Sequence, residues 1–296
     1  MNFINILNHI LRPLEWVVAQ LLTLFHHALV TFGMTAGPSP AWGITIMCLV
    51  LVIRICLLPL FLSQMRAMQR IQVLQPQIQR IQHKYAARKD PRSKEAMQRE
   101  IMALQQRYNA NPLGSCLPSL IQAPILCSLF YTLQSLPAIA DGNAEPLGGI
   151  DHTMAGDIES SSIFGVRIAD SFGTVASPQS RIIIGVAVAL MCLTLFAIQW
   201  MLIHRNTSKD AMVSPQFRVQ KMTVFVFPAI YVVSGATLPF GVLLYWLTNN
   251  LWNLGQTLCQ LRWFPTPGSA AGERKARRDY EQDNRRRAAA GLPSLE

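Results

Sequence analysis

One arginine, Arg54, stands near the middle of WGITIMCLVLVIRICLLPLFLS, the apolar run from Trp42 to Ser63. About 20 apolar residues are enough for a helix to cross a bilayer. An arginine at mid-membrane costs about 2.5 to 3.5 kcal/mol on insertion scales, which makes it a functional-site candidate by default. Its guanidinium offers charge-assisted hydrogen bonds to a carboxylate or phosphate. The other polar groups inside apolar runs are Gln122, Gln199 and, sharing one face of the last run, Trp246, Asn249, Asn250, Asn253 and Gln256. All of these bind; none is a nucleophile or a proton shuttle. With no nucleotide motif and no catalytic constellation, the sequence predicts no enzyme. The cysteines Cys48, Cys56, Cys116, Cys127, Cys192 and Cys259 lie in or beside apolar runs without a CxxC pair, so they read as packing residues, and neither metal nor cofactor is expected.

The elements that position these groups follow from composition. Hydrophobic residues make up 51%, charged residues only 14%, and the net charge of +10 is gathered between and after long apolar runs. The chain therefore reads as an all-α polytopic membrane protein. Five spans are expected, at 41–63, 112–136, 181–203, 222–236 and 238–260. Residues 1–36 carry apolar residues at helical spacing among Arg12, Glu15 and Gln20, which predicts an amphipathic helix lying in the membrane interface rather than spanning. Between the first two spans, 64–111 is strongly basic with two apolar stripes, Met65 to Tyr85 and Met97 to Tyr108. Lys89, Asp90 and Pro91 between them predict a helical hairpin. Its charges serve as a solvated face and topology signal, or as a docking surface for an acidic partner. Asn111 and Pro112 are expected to cap and open the second span. The connection 137–180 is acidic, the loop 204–221 is basic, and the tail 261–296, with Arg285 to Arg287, reads as disordered.

Lysine and arginine mark cytoplasmic loops, so the hairpin, the second basic loop and the tail belong inside, with the N-terminus outside. This places most strongly polar groups in the cytosolic half of the spans. The resulting expectation is a hydrated vestibule open to the cytosol, closed outside by apolar side chains, with Arg54 at its inner limit. Interhelical hydrogen bonding is the plainer account of each Gln or Asn alone. A small-anion transporter centred on Arg54 is the rival function, but polar residues on both sides of Arg54 and an internal repeat are missing. A structural scaffold is the weaker rival.

WGITI with Arg54, LLPLFLSQ, LQPQIQRIQHKY, NPLGSCLPSLIQAPIL and LPFGVLLYWLTNNLWNLGQ together resemble, in order and spacing, the YidC membrane protein insertase family, over roughly Trp42 to Gln260. The resemblance is to the shorter type without a large periplasmic domain. It implies a five-helix core around a cytosol-facing hydrophilic groove in the plasma membrane, with Arg54 as the groove arginine and Gln199 and Trp246 lining it. It also implies nascent membrane proteins as substrates, contact with lipids, and the Sec translocon, the signal recognition particle pathway and the ribosome as partners, with no DNA. The fourth apolar run, about 22 Å by helical rise, is expected to thin the bilayer beside it.

Overall fold

The computed structural model describes residues 3–87, 90–110 and 117–294. The helices, in order, are α1 (Phe3–Thr31), α2 (Ala41–Cys56), α3 (Leu58–Val73), α4 (Gln75–Tyr85), α5 (Pro91–Arg107), α6 (Leu117–Ala140), α7 (His152–Ser160), α8 (Pro178–Arg205), α9 (Pro215–Thr237), α10 (Phe240–Trp263) and α11 (Ala270–Ala289). The strands β1 (Ser162–Ile163) and β2 (Val166–Arg167) lie between α7 and α8. The expected cap at Asn111 and Pro112 falls outside the described residues.

Among the described residues, four helical segments are long and apolar enough to cross a membrane, namely Leu11–Thr31, Ile121–Ala140, Pro178–Arg205 and Phe217–Thr237. The pair α2 and α3 qualifies together as one broken span. The all-α polytopic class therefore holds, with differences of detail along the chain. The first span does not run unbroken from 41 to 63: it breaks at Leu57, because Pro59 lacks the N–H that would bond the carbonyl of Ile55. The helix of the fourth span extends well beyond its apolar run, through a 21-residue segment, so the bilayer-thinning argument loses its basis. By length and composition α1 qualifies as a span whereas α10 does not, since Asn249, Asn250, Asn253 and Gln256 dilute its apolar surface. A helix shielded by its neighbours has no need of an apolar circumference. Finally, the tail is not wholly disordered. Ser269 caps α11 by accepting from the Gly272 N–H at 3.1 Å. Along α11, Lys275 pairs with Asp279 and Arg277 with Glu281 at i,i+4 spacing.

The chain forms two compact units. The first comprises 1–59, 117–194 and 227–252. Its α1 packs against α2 and α6, and α6 against α7. One apolar core gathers Trp42, Ile46, Leu49, Leu129, Leu136, Ile139, Val242 and Tyr245. A second gathers Ile163, Val166, Ile184, Met191, Phe240 and Leu243. The 137–180 connection is ordered rather than a plain loop. Asp151 caps α7 through the Met154 N–H at 2.7 Å. Further on, the carbonyls of Asp170 and Ile168 accept from the N–H groups of Phe240 and Gly241, at 2.7 and 2.9 Å. Two of the donors that any helix N-terminus leaves unpaired are satisfied in this way.

The second unit comprises 60–116, 195–226 and 253–296. The hairpin is present, with Ile71, Leu74 and Ile78 meeting Ile101 and Leu104 along the two predicted stripes. Pro76, in the first turn of α4, marks a break between α3 and α4 that the sequence reading passed over. Asp90 caps α5 by accepting from the Ser93 N–H at 2.8 Å. The 206–210 segment links hairpin to tail: Gln79 Nε2 donates to the Asp210 carbonyl at 2.8 Å, and Asn206 Oδ1 accepts from the Thr266 N–H at 2.9 Å.

Candidate functional site

Burial along α2 falls sharply toward its C-terminal end. Ala41, Trp42, Thr45, Ile46, Leu49 and Val50 are buried, whereas Leu51, Ile55 and Cys56 are exposed. Arg54 lies in this open half and is itself half-buried. The packed half thus holds the helix in place, and Arg54 stands in the half that is less covered.

Arg54 is held from α10. Its Nε donates to Asn249 Oδ1 at 2.7 Å, and its Nη2 donates to the same oxygen. One turn earlier on α10, Tyr245 accepts at its hydroxyl from Gln122 Nε2 of α6. Tyr245 and Asn249 are four residues apart and therefore lie above one another on the helix. Arg54, Gln122 and Asn249 are joined through this edge.

A second edge of α10 carries Trp246 and Asn250. Trp246 stacks on Tyr231 of α9, with ring centroids 5.0 Å apart and planes at 20°. The Tyr231 hydroxyl donates to Asn250 Oδ1 at 3.5 Å. Asn250 is 2% exposed, and its Nδ2 finds no acceptor among the described residues. The polar face of α10 expected from the sequence thus divides into two stripes with different partners. One meets α2 and α6; the other meets α9.

Of the predicted site residues, the structure joins Arg54, Gln122 and Asn249 on the first stripe and places Trp246 and Asn250 on the second. Gln199 and Asn253 belong to the second unit, where both are half-buried. Sequence reasoning missed Tyr231 and Tyr245. Tyr245 carried a usable signal, standing four residues before Asn249, but inside an apolar run an aromatic ring reads as packing. Tyr231 carried none, since a contact between α9 and α10 cannot be read from either helix alone. Among the described residues no cluster of His, Cys, Asp and Glu could hold a metal ion.

The second unit contains a cavity of about 360 Å³ lined by Ile71, Gln72, Gln75, Ile78, Gln105 and Phe217, among others. Among the described residues its lining has amides, the hydroxyls of Thr207 and Ser214 and apolar groups, but no charged side chain.

Residues 34–266 match the family described as 60Kd inner membrane protein. Among relatives, the chain is 43% identical to "Membrane protein insertase YidC" of Bifidobacterium longum, over 100% of this chain and 88% of that protein. It is 34% identical to the protein of the same name in Streptomyces avermitilis, over 90% of this chain and 61% of the relative. Identity to that of Tropheryma whipplei is 30%, over 93% of this chain and 90% of the relative. The match to the family spans most of the sequence and includes every residue of the Arg54 cluster, so the chain belongs to the 60Kd inner membrane protein family, that of the YidC insertases.

Proposed function

We propose that this protein inserts nascent membrane proteins into the plasma membrane, and that the cluster of Arg54, Gln122, Tyr245 and Asn249 receives the polar segment that must cross. Support comes from relatives named as membrane protein insertases and from the apolar helices of a multi-pass membrane protein. The carrying observation is the state of Arg54, oriented by Asn249 on one side and standing where α2 loses its packing.

A guanidinium has five donors in a fixed fork. Two N–H groups of Arg54 are taken by one asparagine oxygen, and the others have no partner among the described residues. A carboxylate arriving at about 4 Å in surroundings of effective dielectric near 20 gains about 4 kcal/mol. That recruits an acidic segment without trapping it. Once the segment is across, the entering apolar helix leaves into lipid by partition alone. The work is binding and release, with no bond made or broken, as befits a family of insertases rather than enzymes.

Orientation follows from charge. The basic hairpin, the 204–221 loop and the tail face the cytosol, and the acidic 137–180 connection lies outside. In this orientation α1 lies along the outer face. Its residues from Arg12 to Thr23 run beside the segment after α6: Arg12 Nη2 is 4.0 Å from Glu145, and Gly148 and Gly149 press on Trp16, Ala19, Gln20 and Thr23. A helix covered along its middle by a polar loop suits an interface better than a membrane crossing. Gln199, on the strength of the resemblance, and Asn253, as a member of the polar face of the last apolar run, remain candidates for contact with substrate. The basic hairpin and tail suit the Sec translocon, targeting components and ribosomal RNA phosphates, or anionic lipid.

The test is insertion into proteoliposomes containing this protein alone, using a single-span substrate with an acidic tail and scoring tail protection from added protease. Protection above protein-free liposomes, reduced by Arg54→Ala for acidic tails and not for neutral ones, is the expected result. Equal loss for both tails would refute the pairing role. No gain over empty liposomes would refute autonomous insertion.

A further inference from the structure

The hairpin β1–β2 closes on two residues, Phe164 and Gly165, between the paired Ile163 and Val166. Both have positive φ, 55° and 81°. Such two-residue turns select Asn, Asp or Gly at the first position, and a phenylalanine there is held in a conformation that bulky side chains avoid. Little among the described residues rewards the ring, since Phe164 is 77% exposed.

The rest of the hairpin is fixed. Val166 and Ile163 are buried, and the Ile163 side chain lies against Gly43 of α2. At the tip, the Gly165 carbonyl accepts from Ser180 Oγ at 3.1 Å. Ser180 is in the first turn of α8, the most apolar of the membrane-crossing candidates. Two residues further on, α8 begins a stripe of exposed apolar side chains: Ile182, Val186, Leu190 and Leu193. Their spacing keeps them on one helical face. A face of that composition on a spanning helix meets lipid, and Ser180, on the buried side of the same first turn, sets the hairpin tip at the level where the stripe begins.

We propose that Phe164 is a membrane anchor, its ring entering the boundary between headgroups and acyl chains of the leaflet at the N-terminal end of α8. Aromatic residues favour that level of a bilayer. The rigid base and the Ser180 contact fix where the ring stands, and the left-handed turn aims it away from the protein. The anchor steadies the connection whose Asp170 and Ile168 carbonyls cap α10, the helix that carries Asn249.

The experiment places the photoreactive residue p-benzoylphenylalanine at position 164 of the full chain, reconstituted in phospholipid vesicles, with adducts identified by intact mass after irradiation. A phospholipid adduct several-fold more abundant than with the same probe at the exposed Asn143 is expected. Crosslinking to another protein copy, or a lipid yield no higher than at Asn143, would overturn the proposal. In parallel, Phe164→Asn in detergent should melt no lower than the parent, because asparagine tolerates the left-handed turn. A fall of several degrees would show that the ring packs within the fold, which also overturns it.

Discussion

Arg54 and Asn249 divide one task. The asparagine oxygen takes two guanidinium N–H groups and so fixes the plane of the fork, while the remaining donors point elsewhere. Hydrogen bonds to a charged group contribute about 1.5 to 3 kcal/mol each. Asn249→Leu therefore frees the guanidinium to rotate without removing its charge. Protease-protection assays should show reduced insertion of acidic-tailed substrates, less severe than with Arg54→Ala, and neutral-tailed substrates should be unaffected. Arg54→Lys keeps the charge but loses the planar fork, so it should fall between the two. If the lysine variant matched wild type, orientation by Asn249 would be irrelevant. Arg54 itself was legible in the sequence because a charge inside an apolar run has few explanations. Tyr231 was not, because a phenol at a helix contact looks like any core aromatic until its neighbour across the interface is known.

Individual elements rest on local contacts whose removal has a calculable sign. Gly148 has φ of +58°, and a Cβ there would meet the Trp16 carbonyl oxygen at 2.8 Å and Ala19 Cβ at 3.0 Å. Since neither neighbour is the loose end of a flexible side chain, Gly148→Ala combines left-handed strain with a clash against α1. A loss of about 1 to 3 kcal/mol is expected, read as a lower melting temperature in detergent. The control Gly142→Ala meets no neighbouring atoms and isolates the strain alone. In the hairpin, Lys84 Nζ sits 2.9 Å from Glu100. This hydrogen bond holds the Glu100 carboxyl below its usual range and lifts the Lys84 ammonium above its own. The pair's contribution is thus complete at pH above the ordinary carboxylate value and below the ordinary lysine value. It is lost as pH falls through the depressed carboxylate value, and lost again as pH rises through the raised lysine value. Amide protection factors across α4 and α5, exchange rates corrected for the intrinsic pH dependence, should fall slightly at the acid limit in wild type, and Glu100→Gln should abolish that change. Solvent exposure of both groups keeps the effect small. The hairpin was readable from its two apolar stripes and the Asp90 and Pro91 signal, but the break at Leu57 was not, since prolines are common inside membrane spans and only some part the helix.

At the scale of the whole chain, alternating apolar and basic blocks carried the polytopic class, and the motifs carried the family. The order within the 137–180 connection was hidden for a physical reason. Its structure comes from contacts far along the chain, such as the Asp170 carbonyl with the Phe240 N–H, that no local pattern records. The same holds for the tail, where a high density of arginine suggested disorder. What orders it is pairing with the 206–210 segment: Asn206 Oδ1 receives the Thr266 N–H, Ser208 pairs with Ser269, and Lys209 Nζ lies 3.0 Å from Glu273. Removing residues 265–296 takes away all three partners at once. Residues 206–210 should then exchange amide hydrogens faster, whereas the buried segment of α10 from Val242 to Tyr245, within the first unit, should keep its protection. Insertion of released, acidic-tailed substrates in proteoliposomes should persist in the truncated protein, because Arg54, Gln122 and Asn249 lie in the unit that the tail does not build. Loss of that insertion together with unchanged exchange at 206–210 would mean that the tail itself handles substrate. Loss together with faster exchange would instead assign the 206–210 segment a part in the insertion cycle.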